Sequence, residues 1–201
     1  MNTFVAPKSW TSNEVRARQH RRLPNEFYPT PPEATRALLS VETFHGSIWE
    51  PACGDGGIAK VLEDHGHAVV STDLHAYGVG TSGVDFLREI QPRARHIVTN
   101  PPYGRGLADR FVLNALKLTR STGGKVAMLL DLSSLCHPVR TAFWKANPPA
   151  RIYALDDIIC WPKNVPLPDT RLFTRRYCWV IWEHGYNGNP TFDWLSAAEF
   201  R

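Results

Sequence analysis

A chain of 201 residues, 43% hydrophobic and 21% charged, suffices for one substantial domain and is too apolar to stay unfolded. No apolar run approaches the roughly 18 residues of a membrane span, and the opening MNTFVAPKSW lacks the apolar core of a secretion signal, so a cytoplasmic protein is expected. The formal charge of +4 leans towards a polyanionic partner, and four cysteines without a C-x-x-C pair predict reduced, mostly buried thiols and no metal site.

Residues 1–26 are polar and basic without a sustained period, and read as an arm that a partner would order. Residues 27–201 then read as a single α/β domain. FYPTPPEATRALLSV predicts a helix with Thr30 as N-cap, Pro31 at its first position and Glu33 three residues past the cap. SIWEP reads as a strand, GGIAKVLEDHG as a helix ending at Gly66, and HAVVSTD as the next strand. RHIVTN, GLADRFVLNALKL and KVAMLLDL continue as strand, helix and strand. In that helix Leu107, Phe111, Leu113 or Asn114, and Leu118 mark the buried face. RIYALD and RYCWVIWE are two further strands, joined by a proline-rich loop. Alternating strands and helices imply a mostly parallel sheet covered on both faces. From Arg140 to Arg176 seven Lys or Arg face three Asp, and with the arm they read either as solvated surface plus a loose terminus or as two basic elements flanking a site.

The loop IWEPACGDGG joins a strand to a helix through Gly54, Gly56 and Gly57, where a ligand can approach the backbone closely. A pyrophosphate would use the helix N-terminus behind such a loop. Glu50 and Asp55 would repel it, and a cationic or zwitterionic ligand fits better. Asp73 ends the next strand, 19 positions after Gly54, where an acid can accept hydrogen bonds from a ribose. Asp85 and Phe86 set an acceptor beside an aromatic ring, which suits adenine. In this order they describe a pocket for an adenosine with a charged tail.

RHIVTNPPYGRGLADRF supplies the rest. Asn100 ends a buried strand, and Pro101 and Pro102, each with a fixed φ and no N–H, hold the following backbone stiff. FYPTP, EPACGDG, Asp73, Asp85-Phe86 and NPPY, in this order, resemble the class I S-adenosylmethionine-dependent methyltransferases, in particular the N6-adenine DNA methyltransferases with an NPPY motif. The resemblance runs from residue 27 to about 131. RYCWVIWEHG is similar, less distinctly, to the last strand of small phage-type members.

That resemblance implies a Rossmann-like fold with a mostly parallel seven-stranded sheet, its last strand antiparallel, and helices on both faces. It implies S-adenosylmethionine as cofactor, with S-adenosylhomocysteine as product. Tyr28, Pro29 and Thr30 would lie near the methionine end, Glu50, Pro51, Ala52, Gly54 and Asp55 would form the cofactor loop, Asp73 and Leu74 would take the ribose side, and Asp85 and Phe86 the adenine. Asn100, Pro101, Pro102 and Tyr103 would be catalytic, with Asn100 also beside the cofactor. Tyr103 would stack on the target base, with Trp161, Lys163 and Arg171 as weaker candidates for substrate contact. Nucleic acid, DNA first, is the expected partner. No target-recognition domain is discerned, which leaves room for a partner protein; target sequence and oligomeric state stay open. Adenine in RNA, the side-chain amide of a protein glutamine, and a silent nucleic-acid-binding subunit remain alternatives. A 5-cytosine methyltransferase would need a cysteine after a proline, and the chain has no such pair.

Overall fold

In the computed structural model residues 27–156, 158–161 and 175–201 are described, so the basic arm, Lys163 and Arg171 lie outside the described residues. Successive strand residues alternate between two hydrophobic cores, because neighbouring side chains on a strand point to opposite faces. In β5 (Lys125–Asp131), Ala127 and Leu129 join one core, while Val126, Met128 and Leu130 join the other. In β7 (Tyr177–Glu183), Trp179 and Ile181 join the first, while Cys178, Val180 and Trp182 join the second. Helices α1 (Pro32–Val41) and α2 (Gly57–Asp64) pack on the first core, and α3 (Leu107–Thr119) packs on the second. The expected cover on both faces is present.

The remaining strands are β1 (Ile48–Glu50), β2 (Val69–Asp73), β3 (Thr81–Ser82), β4 (His96–Thr99), β6 (Arg151–Leu155) and β8 (Thr191–Leu195). A short helix, α4 (Thr141–Ala146), precedes β6. The sheet order is β3-β2-β1-β4-β5-β7-β6-β8, with β7 antiparallel to β5 and β6 and every other pairing parallel. The sheet thus has eight strands, not seven, and its antiparallel strand is the penultimate one. TFDWL adds the eighth at the edge, in parallel register with β6, with Thr191 through Trp194 exposed. The chain leaves β1 in one direction through β2 and β3 and in the other through β4. The crevice beyond the carboxyl ends of β1 and β4 is therefore a topological switch point.

Two local expectations shift. Helix α1 begins at Pro32 with Pro31 as its cap residue, so Thr30 lies outside the helix. Helix α3 buries Ala108, Phe111, Val112, Ala115 and Leu118, whereas Leu113 is 47% exposed. Asn114 turns to the carbonyls of Phe86 (2.7 Å) and Glu89 (3.3 Å), binding the helix to the turn at Phe86–Arg88.

The far end of the sheet is held by charge. The buried Glu42 carboxylate, just past α1, accepts from Lys125 Nζ (2.7 Å), from Arg151 Nε and Nη2, and from the Tyr153 hydroxyl (3.1 Å). Arg151 also pairs with Glu183. Burial alone would raise the Glu42 pKa, but its hydrogen bonds to Arg151 and Lys125 bring it below the ordinary 4.5. Its stabilising share is therefore complete above about pH 4.5 and is lost as pH falls through the lower folded-state value. Glu42→Gln should cost about 1–3 kcal/mol at pH 7, and the gap to wild type should narrow in urea melts run progressively below pH 4.5. A gap independent of pH would mean that the charge is not what holds this end.

Arg140 pairs with Asp109 (3.1 Å) and Arg175 with Asp131 (3.5 Å). Among the described residues of this stretch Arg140, Arg151 and Arg175 are thus engaged with carboxylates, and Arg151 lies at the end of the sheet opposite the crevice.

Candidate active site

A cavity of about 250 Å³ opens at the switch point, walled by the segment before α1, the β1–α2 loop, the ends of β2 and β4, and the turn after β3. Each wall follows from a local constraint. Gly54 takes φ 53°, a left-handed conformation that a side chain resists, and its N–H points to Asp73 Oδ2 at 2.9 Å. Asp73 Oδ1 accepts from the His75 N–H at 2.8 Å, so one carboxylate ties the glycine loop to the turn after β2. Phe27 lies over the loop and stacks on Tyr77 with centroids 4.3 Å apart.

Gly57 is closed in by backbone, since a Cβ there would fall 2.6 Å from the Thr30 carbonyl oxygen. Backbone must then move, at about 1–3 kcal/mol. Gly57→Ala should lower Tm by about 2–4 °C for each kcal/mol lost, as scanning calorimetry would read. An unchanged Tm would mean that the segment before α1 has room to yield.

Glu50, at the end of β1, is 2% exposed. Burial, reinforced by Asp73, Asp55 and Glu63 and only partly offset by the Ala59 N–H, pushes its pKa well above the carboxylate range. Its Oε2 is buried without a hydrogen-bond partner among the described residues. A buried acceptor left open in a cavity wall is a place for a cation that brings its own N–H groups. Cys53 beside it is kept in the neutral thiol form, because burial and then the charges of Glu50 and Asp73 push its pKa up to about 12.

Across the cavity, Asn100 follows β4. Its Nδ2 donates to Thr30 Oγ1 (3.0 Å) and approaches the Tyr28 carbonyl (3.5 Å) and Cys160 Sγ (3.9 Å). The Tyr103 hydroxyl lies 2.8 Å from Asn100 Oδ1 and 2.7 Å from the Leu129 carbonyl. Burial, and then the neighbouring Tyr177 and Cys160, raise the Tyr103 pKa well above its ordinary value, so the phenol stays a donor. Arg175 places its guanidinium carbon 5.1 Å from the centre of the Tyr103 ring.

The structure brings together in this one cavity all the sequence-predicted residues from Tyr28 to Tyr103, Pro51, Ala52, Asp55, Leu74, Pro101 and Pro102 included. Within that set Phe86 sits deep. Only 2% exposed, it packs edge-on to Trp49 and tilted against Phe111, so little of its ring reaches the cavity. Asp85 caps the turn by accepting from the Leu87 N–H at 3.0 Å. Trp161, half-buried, is not among the lining residues. Sequence reasoning missed Phe27, Tyr77, His75, Leu107 and Phe111, which also line the cavity. Phe27 stood in view as the first residue of FYPTP; Tyr77, in an irregular glycine-rich turn, had no signal. Among the described residues no His, Cys, Asp and Glu cluster could hold a metal ion, and no helix is long and apolar enough to cross a membrane.

No protein-family model and no curated protein sequence matches the chain. Solved structures do. A proposed RNA methyltransferase from Pyrococcus horikoshii gives a TM-score of 0.61 at 14% identity, covering 86% of this chain and 98% of its own. A proposed class I S-adenosylmethionine-dependent methyltransferase from Listeria monocytogenes gives 0.59 at 14% identity, over 91% of this chain and 70% of its own. A modification subunit of a proposed type I restriction enzyme from Vibrio vulnificus gives 0.57 at 15% identity; 90% of this chain matches 50% of that subunit. The chain thus has the Rossmann-like class I methyltransferase fold.

Proposed function

We propose that this protein transfers a methyl group from S-adenosylmethionine to the N6 amine of adenine in DNA. The observation that carries the reading is the pairing, across one cavity, of an open buried carboxyl at Glu50 with the anchored amide of Asn100. The residues fit the cofactor. Glu50 Oε2 would accept from its ammonium group, which would also bring Glu50 to the charged form. Asp73 would take ribose hydroxyls on lone pairs left after Gly54 and His75. At Gly54 and Gly57 the space a side chain would take is held by the Phe27 ring and the Thr30 carbonyl, so the segment before α1 closes on the glycine loop and shapes that wall of the site. The cofactor supplies an electrophilic methyl group on a sulfonium centre.

The chain's own task is to make a poor nucleophile reactive. The lone pair of adenine's exocyclic amine is delocalised into the ring. Two acceptors fixed before the base arrives, Asn100 Oδ1 and the Pro101 carbonyl, would draw both N–H groups out of the ring plane and localise that pair. Oδ1 has two lone pairs, so it can hold the Tyr103 hydroxyl and an amine N–H together. The Tyr103 ring would stack on the base, a contact worth about 1–3 kcal/mol. Arg175 would then leave the ring it now covers. A target inside a duplex must first be flipped out, at a few kcal/mol.

The order of motifs, which resembles that of the N6-adenine DNA methyltransferases, puts adenine ahead of a protein glutamine and serves adenine in DNA and RNA alike. Structural neighbours that include a restriction-modification subunit and a proposed RNA methyltransferase support a nucleic-acid substrate. Tritium transfer from labelled S-adenosylmethionine, offered to DNA, RNA and protein separately, tests the reading. Label in DNA that deoxyribonuclease releases is expected; label confined to RNA or protein would overturn the substrate.

A further inference from the structure

We propose that Thr30 is a positioning residue for the methyl acceptor: its hydroxyl anchors the Asn100 amide in the sense that the Tyr28 carbonyl dictates, with the oxygen end left to the substrate. The inference rests on the proposed methyl transfer to an amine. A primary amide is almost symmetric in shape, and only one of its two flips presents an acceptor. With oxygen towards the substrate, Asn100 can take an amine N–H. With nitrogen there, donor would face donor.

The Tyr103 end cannot decide the flip. Its hydroxyl can donate to Asn100 Oδ1, or accept from an Asn100 N–H while its own proton goes to the Leu129 carbonyl 2.7 Å away. The decision falls to the other end. There the Tyr28 carbonyl, an acceptor only, stands 3.5 Å from Nδ2 and fixes that end as nitrogen, while Thr30 Oγ1, a hydroxyl that serves either sense, holds the amide in place through the shortest contact at 3.0 Å. Thr30 is 8% exposed, and its φ-restricted neighbours Pro29 and Pro31 hold it. Its carbonyl also abuts Gly57 of the glycine loop. One residue therefore touches the wall of the cofactor site with its backbone and holds the Asn100 amide in place with its side chain.

The test compares Thr30→Val, which keeps the shape and removes the hydroxyl, with Thr30→Ser, which restores it. Thr30→Val should lower kcat about 10–100-fold, as misplacement of a reacting group does, while Kd for S-adenosylhomocysteine changes by less than about threefold. Thr30→Ser should recover most of the loss. Independently of turnover, the Asn100 side-chain amide resonances should shift and exchange faster with water in Thr30→Val than in wild type and Thr30→Ser. Full kcat in Thr30→Val would overturn the inference, as would a cofactor Kd raised by the whole factor with Asn100 resonances unmoved. If wild type transfers no methyl group to any amine, the functional reading fails on its own. The resonances then judge the clamp, and an Asn100 amide indifferent to Thr30→Val would refute it. Thermal melts of both variants confirm that each is folded.

Discussion

Asn100→Ala should lower kcat by at least about 10²–10³-fold, the loss found when one preorganised group facing a transition state is removed. Its effect on cofactor affinity should stay within about threefold. The reason lies in what the side chain touches. Its amide joins Thr30, Tyr28 and Tyr103, and in the proposed reaction its remaining acceptor capacity would go to the substrate amine. Glu50, Asp73 and the glycine loop, which would hold the cofactor, keep their own contacts without it. Stability should fall little, since the Tyr103 hydroxyl retains the Leu129 carbonyl. Titration calorimetry with S-adenosylhomocysteine and single-turnover methyl transfer separate the two quantities. A variant with wild-type turnover would remove Asn100 from the mechanism.

Asp73→Ala should act on the other half of the site. A charged acceptor to hydroxyl groups is worth about 1.5–3 kcal/mol, and tenfold in Kd corresponds to about 1.4 kcal/mol. Cofactor Kd should therefore rise roughly 10–150-fold. The structure adds a second cause, because Asp73 also anchors the N–H groups of Gly54 and His75. Asp73→Asn separates them. Its amide keeps one acceptor oxygen but can satisfy only one of those two N–H groups, so it should lie between wild type and alanine. Saturating cofactor should restore turnover in both variants. An unchanged Kd in Asp73→Ala would mean that the carboxylate organises the loop without touching the ligand.

What could be read beforehand divides along physical lines. The central strands were legible because both their faces are buried, so β5 and β7 read as unbroken apolar runs between polar ends. Strand β8 was not, since only Leu195 of its five residues is buried and an exposed edge leaves no apolar pattern. In α3 the adjacent apolar pair Val112-Leu113 offered two phases for the stripe. Packing buried Val112 and left Leu113 out.

The cavity residues were legible as motifs, since their types and order carry the chemistry whatever surrounds them. Their partners were not. Thr30 looks like a helix cap in sequence, and its contact with Asn100 spans 70 residues. Arg151 counted as free positive charge until Glu42, 109 residues away, closed on it. Net charge records neither pairing nor which end of the sheet a cation occupies.

The central claim is tested most directly by the identity of the methylated product. The protein is incubated with S-adenosylmethionine and DNA, single-stranded and duplex, the DNA is digested to nucleosides, and the digest is read by mass spectrometry. Methyl transfer to adenine in DNA predicts N6-methyldeoxyadenosine and no 5-methyldeoxycytidine, with single-stranded or mismatched DNA methylated faster than duplex because no pairing energy opposes flipping. A digest without N6-methyldeoxyadenosine, while RNA or a protein glutamine gains the methyl group under the same conditions, would contradict it.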